Sequence, residues 1–342
     1  MHCLKVNIKE GEKLRRYLLD RGLLNRGYKL KREDNYIYLP IKSEFNSKVK
    51  KEINILFNDV ELLELEDREF PSRSPKKQIN FREYLIKNFK REIEEGKISL
   101  SYDIIGKIAI IQISDDIDKD LREEIGVNAL KLIPSIESVF RRKSSIEGEY
   151  RIRKLELLAG KYNTLTFYKE NGYRLWVDVE KVYFSPRLGW ERKRIMERVN
   201  SEDVVIDMFC GVGPFSMACK NAKKIYSIDI NPNAIDLLKR NIQLNKLQNK
   251  IIPILGDVRD VEVIGNRVIM NLPMYSHLFI DKALSMVEDN GIIHYYTIGK
   301  DFNNAMDLFQ SKCDCQLIER RIVKSYSPRE YVLVLDIKIN KI

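Results

Sequence analysis

Histidine is scarce in this chain of 342 residues. His2, His277 and His294 are the only three, none stands at ligand spacing from another metal-binding side chain, and no metal site is expected. The five cysteines, Cys3, Cys210, Cys219, Cys313 and Cys315, form no pair of CxxC clusters, and their odd number speaks against a secreted disulfide framework. Cys313 and Cys315 read as strand-edge thiols rather than as a zinc or disulfide pair. No apolar run approaches the roughly 20 residues a membrane span needs, and the opening Met-His-Cys-Leu-Lys-Val has no leader pattern. The expectation is a cytoplasmic protein without membrane association. Internal repeats and low-complexity tracts are missing too.

What is present is apolar material for real cores, 44% of residues, and an excess of base: 60 Lys and Arg against 50 acids, a net charge of +10. That excess suits a polyanionic partner, although a 32% charged composition rich in Lys, Glu and Ile also fits a heat-adapted protein with dispersed ion pairs. The length implies two or three domains. Residues 1–66 read β-α-β-β-α-β, a small α+β unit expected to bind RNA. Residues 67–79, with Pro71, Pro75 and Lys76-Lys77, break both periodicities as a linker does. A second α+β unit is expected over 80–180: a helix from Phe81 to Glu95, an alternating strand at Ile108 to Ile113, an amphipathic helix from Asp118 to Leu132, and strands near Ser138 to Phe140, Arg151 to Leu157, Thr164 to Tyr168 and Tyr173 to Val179. From 181 to 342, strand and helix alternate as in an α/β, doubly wound, mostly parallel Rossmann-like sheet. A short turn at Ser325 to Arg329 should make the final strand antiparallel.

The most informative run is Asp207-Met-Phe-Cys-Gly-Val-Gly-Pro-Phe-Ser216. It follows an apolar strand and opens a helix, placing Gly211 and Gly213 where backbone approaches a ligand closely. The next apolar run ends in Asp229, from which a carboxylate can bond ribose hydroxyls. Two further runs end in Gly256-Asp257-Val258 and Asn271-Leu272-Pro273. In an open parallel sheet those strand ends converge on one crevice, suited to a nucleoside-bearing cofactor. Ser216 at the third glycine position and Pro214 after the second depart from the nicotinamide fingerprint. The three acids Asp207, Asp229 and Asp257 together resemble the class I S-adenosylmethionine-dependent methyltransferases. Asn231-Pro232 caps the following helix, leaving Asp229 available.

Val182-Tyr-Phe-Ser-Pro-Arg-Leu-Gly-Trp-Glu-Arg192, the glycine run and Met270-Asn-Leu-Pro273 together resemble the archaeal and eukaryotic tRNA (guanine-N1) methyltransferases that act at position 37, over essentially the whole chain. Trp190 departs from that pattern, where a small residue is expected. The resemblance implies S-adenosylmethionine as cofactor, tRNA as partner and action as a monomer with no required protein partner. It implies cofactor contacts from Arg192, Phe209, Gly211, Gly213, Asp229, Ile230, Asp257, Val258 and Asn271. Glu191 is implied as the general base, Arg151 as the cation on the guanine O6, and Asn271 with Pro273 as the holder of the guanine edge. Tyr183, Arg187, Arg141, Arg142 and Lys143 are implied in substrate binding, the last three as part of a phosphate-gripping surface. The alternatives are transfer of the cofactor's aminocarboxypropyl group, methylation of a wyosine intermediate, and a non-catalytic tRNA-binding protein that uses the Rossmann-like fold as a scaffold.

Overall fold

The computed structural model describes residues 2–65, 79–143, 148 and 154–341, in two compact units, Met1–Gln78 and Ile79–Ile342. The expected linker lies, apart from Ile79, outside the described residues.

The first unit follows the expected order: β1 (His2–Asn7), α1 (Ile8–Asp20), β2 (Lys31–Glu33), β3 (Tyr36–Pro40), α2 (Ser47–Leu56) and β4 (Glu61–Glu64). The strands pair antiparallel in the order β2-β3-β1-β4. α1 starts at Ile8 because the Asn7 side chain accepts the Lys9 N–H, which satisfies one of the donors a helix start leaves open. Its Leu14 and Leu18, one turn apart, join Ile37, Leu39 and Ile53 in the core.

The second unit begins with α3 (Phe81–Asn88), held by a capping box between Asn80 and Glu83, and α4 (Lys90–Glu94). Periodicity predicts a single helix to Glu95, but Phe89 leaves helical geometry at φ −131° and ψ 36° as its ring enters the core. β5 (Asp103–Ile105), β6 (Ile108–Ile111), α5 (Lys119–Leu132), β7 (Ser138–Arg142) and β8 (Leu155–Gly160) follow. They form a sheet in the order β5-β6-β7-β8 in which only β6 and β7 run parallel, and Ile125 and Ala129 of α5 are buried. β9 (Leu165–Glu170) and β10 (Tyr173–Asp178) make a separate antiparallel hairpin.

The remaining elements are α6 (Gly189–Arg198), β11 (Val204–Asp207), α7 (Pro214–Ala218), β12 (Lys224–Asp229), α8 (Pro232–Leu244), β13 (Ile251–Leu255), β14 (Gly265–Met270), α9 (Ile280–Met286), β15 (Val287–Gly299), α10 (Asn303–Gln310), β16 (Asp314–Ser327) and β17 (Glu330–Asn340). Their seven strands lie in the order β13-β12-β11-β14-β15-β17-β16. β11 to β15 are mutually parallel, and β17 is antiparallel to both neighbours. The terminal hairpin thus inserts its second strand into the sheet, and Val332 to Ile337 form a buried run, the pattern of a strand covered on both faces. Chain order reverses between β11 and β14, and a crevice is expected beyond their C-terminal ends. The β9–β10 hairpin is fastened to α8: Asn241 accepts the Trp176 N–H at 2.7 Å and Asn245 accepts the Arg174 N–H at 2.9 Å.

Candidate active site

A cavity of about 330 Å³ opens at that reversal point, within the size range of small-molecule sites. It gathers the ends of β11, β12, β13 and β14 with the loop before α6. Of the residues singled out from sequence, Tyr183, Arg192, Phe209, Gly211, Asp229, Ile230, Asp257, Val258, Asn271 and Pro273 line it.

The glycine turn is built around Asp229. Its Oδ2 accepts the Gly211 N–H at 2.7 Å and its Oδ1 accepts the Asn231 N–H at 2.9 Å. A carboxylate has about four acceptor positions, so these bonds leave acceptor capacity for a ligand diol. Burial raises the Asp229 pKa against these backbone bonds. Asn231 caps α8 through the Asn233 N–H and donates to the Lys181 carbonyl at 2.9 Å, tying the loop before α6 to the turn. Gly211, at φ 55°, reaches the cavity, whereas Gly213 does not line it. Gly213 sits at φ 84°, and a Cβ there would lie 2.4 Å from Leu238 of α8. Glycine there lets the turn pack closely on the helix, and Gly213 itself does not reach the cavity wall expected of it from the motif.

Behind the turn, Asp207 accepts the Ser216 hydroxyl at 2.7 Å, and Ser227 in turn donates to Ser216 at 2.8 Å. Burial, opposed by the Ser216 bond and reinforced by the Asp229 charge, pushes Asp207 up to about 7. An unfolded Asp titrates near 3.9, so between roughly pH 4 and 7 the folded state holds a proton that the unfolded state has lost. Stability therefore falls as pH rises through that window. Thermal melting of the cofactor-free protein should fall more between pH 5 and pH 8 than melting of Asp207→Asn; equal slopes would refute this assignment.

Asp257 accepts the Arg259 guanidinium through both oxygens and its backbone N–H at 2.9 Å, and the Arg259 bond holds its pKa down. The Phe209 and Phe279 rings meet edge to face at 5.0 Å on the cavity wall, an apolar patch for a flat group to rest on. Asn271 reaches the cavity with no hydrogen bond to its side chain among the described residues, beside Pro273.

Other expected contacts are elsewhere. Glu191 is buried at 2% exposure and does not line the cavity: its Oε1 accepts from Arg194 Nε at 2.7 Å and the Tyr296 hydroxyl at 2.8 Å. Arg192 lines the cavity, but both arms of its guanidinium grip Glu170, at 2.5 and 2.6 Å, and it bonds the Ser185 carbonyl. Its first task is thus to shape the loop before α6. Arg187 is drawn off to Asp103 at 2.7 Å and Ser101 at 2.8 Å, and Arg142 also donates to Asp103, so one carboxylate joins β5, β7 and that loop. Arg141 is 1% exposed and bound by Glu156, Asp115 and the Ile113 carbonyl. It cannot serve the phosphate-gripping surface expected of it. Lys143 is exposed, and Arg151 lies outside the described residues. Sequence reasoning passes over Glu170, whose only signal is the complementarity of one acid to Arg192, and Phe279, Lys324 and Tyr326, which reach the cavity wall from α9's lead-in and β16.

Three family descriptions match the chain: a TRM5/TYW2 methyltransferase domain over residues 166–319, a tRNA methyltransferase 5 N-terminal domain over 3–49 and a TYW2 N-terminal domain over 81–164. The tRNA (guanine(37)-N(1))-methyltransferase Trm5b of Methanocaldococcus jannaschii is 61% identical over 99% of each chain. Among solved structures, a complex of aTrm5 with tRNALeu superimposes with a TM-score of 0.76, at 60% identity over 99% of this chain and 100% of that one. The M. jannaschii Trm5 bound to adenosine does so with 0.73, at 58% identity over 100% of both.

Proposed function

This chain belongs to the TRM5/TYW2 methyltransferase family, and we propose that it transfers a methyl group from S-adenosylmethionine to N1 of the guanine at position 37 of tRNA, giving 1-methylguanosine. The observation that carries the reading is the convergence of Asp229, Asp257, Asn271 and the Phe209–Phe279 pair on one cavity, joined to near-complete coverage by a relative of that activity.

The residues present fit an adenosine-bearing cofactor. Asp229 keeps acceptor capacity for a ribose diol, Asp257 on the same cavity wall can accept from an exocyclic amine, and the aromatic pair suits a purine face. When bound, S-adenosylmethionine supplies an electrophilic methyl on a sulfonium centre. The chain's own task is to make the guanine nucleophilic, because neutral guanine carries a hydrogen on N1 and offers no lone pair there. Glu191 removes that proton. Asn271 reads the guanine edge through its amide, and Pro273 fixes the direction of the backbone that carries it. Arg151 stabilises the negative charge that shifts to O6. The base leaves its stack to reach the crevice, while the first unit and Lys143 hold the tRNA by shape and phosphate contacts. We assign the protein to the cytoplasm, acting as a monomer.

Nucleoside mass analysis of a guanosine-37 tRNA transcript after incubation with S-adenosylmethionine tests the reading. 1-Methylguanosine should appear at position 37 and vanish from an adenosine-37 transcript. An aminocarboxypropyl adduct, or methylation elsewhere, would overturn it.

A further inference from the structure

The mechanism uses Glu191, yet the structure holds that carboxylate away from the cavity in a buried ionic array. Helix α6 exposes Trp190 and buries Glu191, Arg192, Arg194 and Ile195, while Leu188 and Arg192 line the cavity on either side of Glu191. Around the Glu191 carboxylate stand Arg194 from its own helix, the Tyr296 hydroxyl from β15, and Arg321 from β16 at 3.9 Å. Arg194 is itself fixed from behind by both oxygens of Asp336 on β17. Asp336 also takes Arg198 at 2.7 Å and His294 Nδ1 at 2.6 Å; the other ring nitrogen of His294 meets Arg267 at 2.9 Å, and Arg267 meets Asp203 at 3.1 Å. With a guanidinium on Nε2, His294 is neutral with its hydrogen on Nδ1, and burial, outweighing the Asp336 carboxylate, lowers its pKa. The array therefore cannot shift without breaking several buried charge pairs, which makes Arg194 a rigid mount.

We propose that Tyr296 and Arg194 are positioning residues that park the Glu191 carboxylate beside the cavity and fix the direction from which it meets the target base. This rests on the assignment of Glu191 as general base. Burial, with the Glu191 charge next in weight, pushes the Tyr296 phenol well above its ordinary range, so Tyr296 acts as a hydrogen-bond donor and not as a proton carrier. Both donors hold the same oxygen of Glu191, so removing either should loosen its parking and cost rate without costing affinity.

The test is single-turnover methyl transfer at saturating tRNA and S-adenosylmethionine, with the affinity for each measured separately. In Tyr296→Phe the rate should fall by about tenfold while both affinities stay within about twofold of the parent, and the same substitution should cost nothing further in the Glu191→Gln background. A residue that only supports the fold would weaken binding together with the rate and would lower the rate by the same factor in the Glu191→Gln background, and that result would overturn the proposal. Arg194→Lys keeps the cation without its fork; it should lower the rate the same way with both affinities kept, and it decides the question should Tyr296→Phe not fold. If Glu191→Gln itself transfers methyl at the parent rate, the assignment of the base fails, whatever Tyr296→Phe shows.

Discussion

Glu191→Gln should slow methyl transfer by about 10²- to 10⁴-fold, the usual cost of losing a general base, while cofactor and tRNA affinity stay within a few-fold of the parent. The substitution removes a charge and keeps the shape. The amide oxygen of the introduced glutamine can still accept from Tyr296 and Arg194, which hold Glu191 Oε1 in the parent, and Arg194 keeps both oxygens of Asp336 as counter-charge. Folding should survive with a lowered melting temperature. Binding should survive because Glu191 lies off the cavity wall that receives the cofactor. What is lost is the acceptor for the N1 proton. Single-turnover rates, with equilibrium dialysis of S-adenosylhomocysteine, separate the two effects. A variant as fast as the parent would exclude Glu191 from the chemistry, and one that no longer binds cofactor would make it structural.

The cavity is legible in the sequence because its parts are local. A strand end, a glycine turn and an acid recur at short spacing, and the parallel sheet brings such ends together whatever the rest of the chain does. Asp229, Asp257 and Asn271 stand out on those grounds and line the cavity. The arginines mislead for the opposite reason. Whether Arg141 faces phosphate or closes a buried cluster depends on Asp115 and Glu156, and whether Arg192 and Arg187 are available depends on Glu170 and Asp103. These partners lie on other elements, so no window around each arginine contains the answer. Gly213 differs again: motif position and positive φ agree with the sequence, but what lies against it is Leu238 in the packing layer, and it does not reach the cavity wall. The break at Phe89 and the three-residue β5 escape periodicity because tertiary burial of one ring, and a strand too short to alternate, leave no pattern to read.

Asp229 carries the second large effect. Asp229→Ala should weaken S-adenosylhomocysteine binding by about 10²-fold or more, since each hydrogen bond to a charged group contributes roughly 1.5–3 kcal/mol and a ribose diol offers two. The more telling variant is Asp229→Asn. Asn is normally a mild change for an acceptor, but each Asp229 oxygen already faces a backbone donor, Gly211 N–H at one and Asn231 N–H at the other. Whichever way the amide is turned, its NH₂ group confronts an N–H, and one donor of the turn is left unpaired. The glycine turn must then give way, and Asp229→Asn should lose nearly as much affinity as Asp229→Ala. Binding of tRNA should be spared, because no base or phosphate contact is assigned to this carboxylate. Calorimetric titration of both variants checks the argument. An Asn variant that binds within about threefold of the parent would mean that Asp229 acts neither as the ribose acceptor nor as the clasp of the turn.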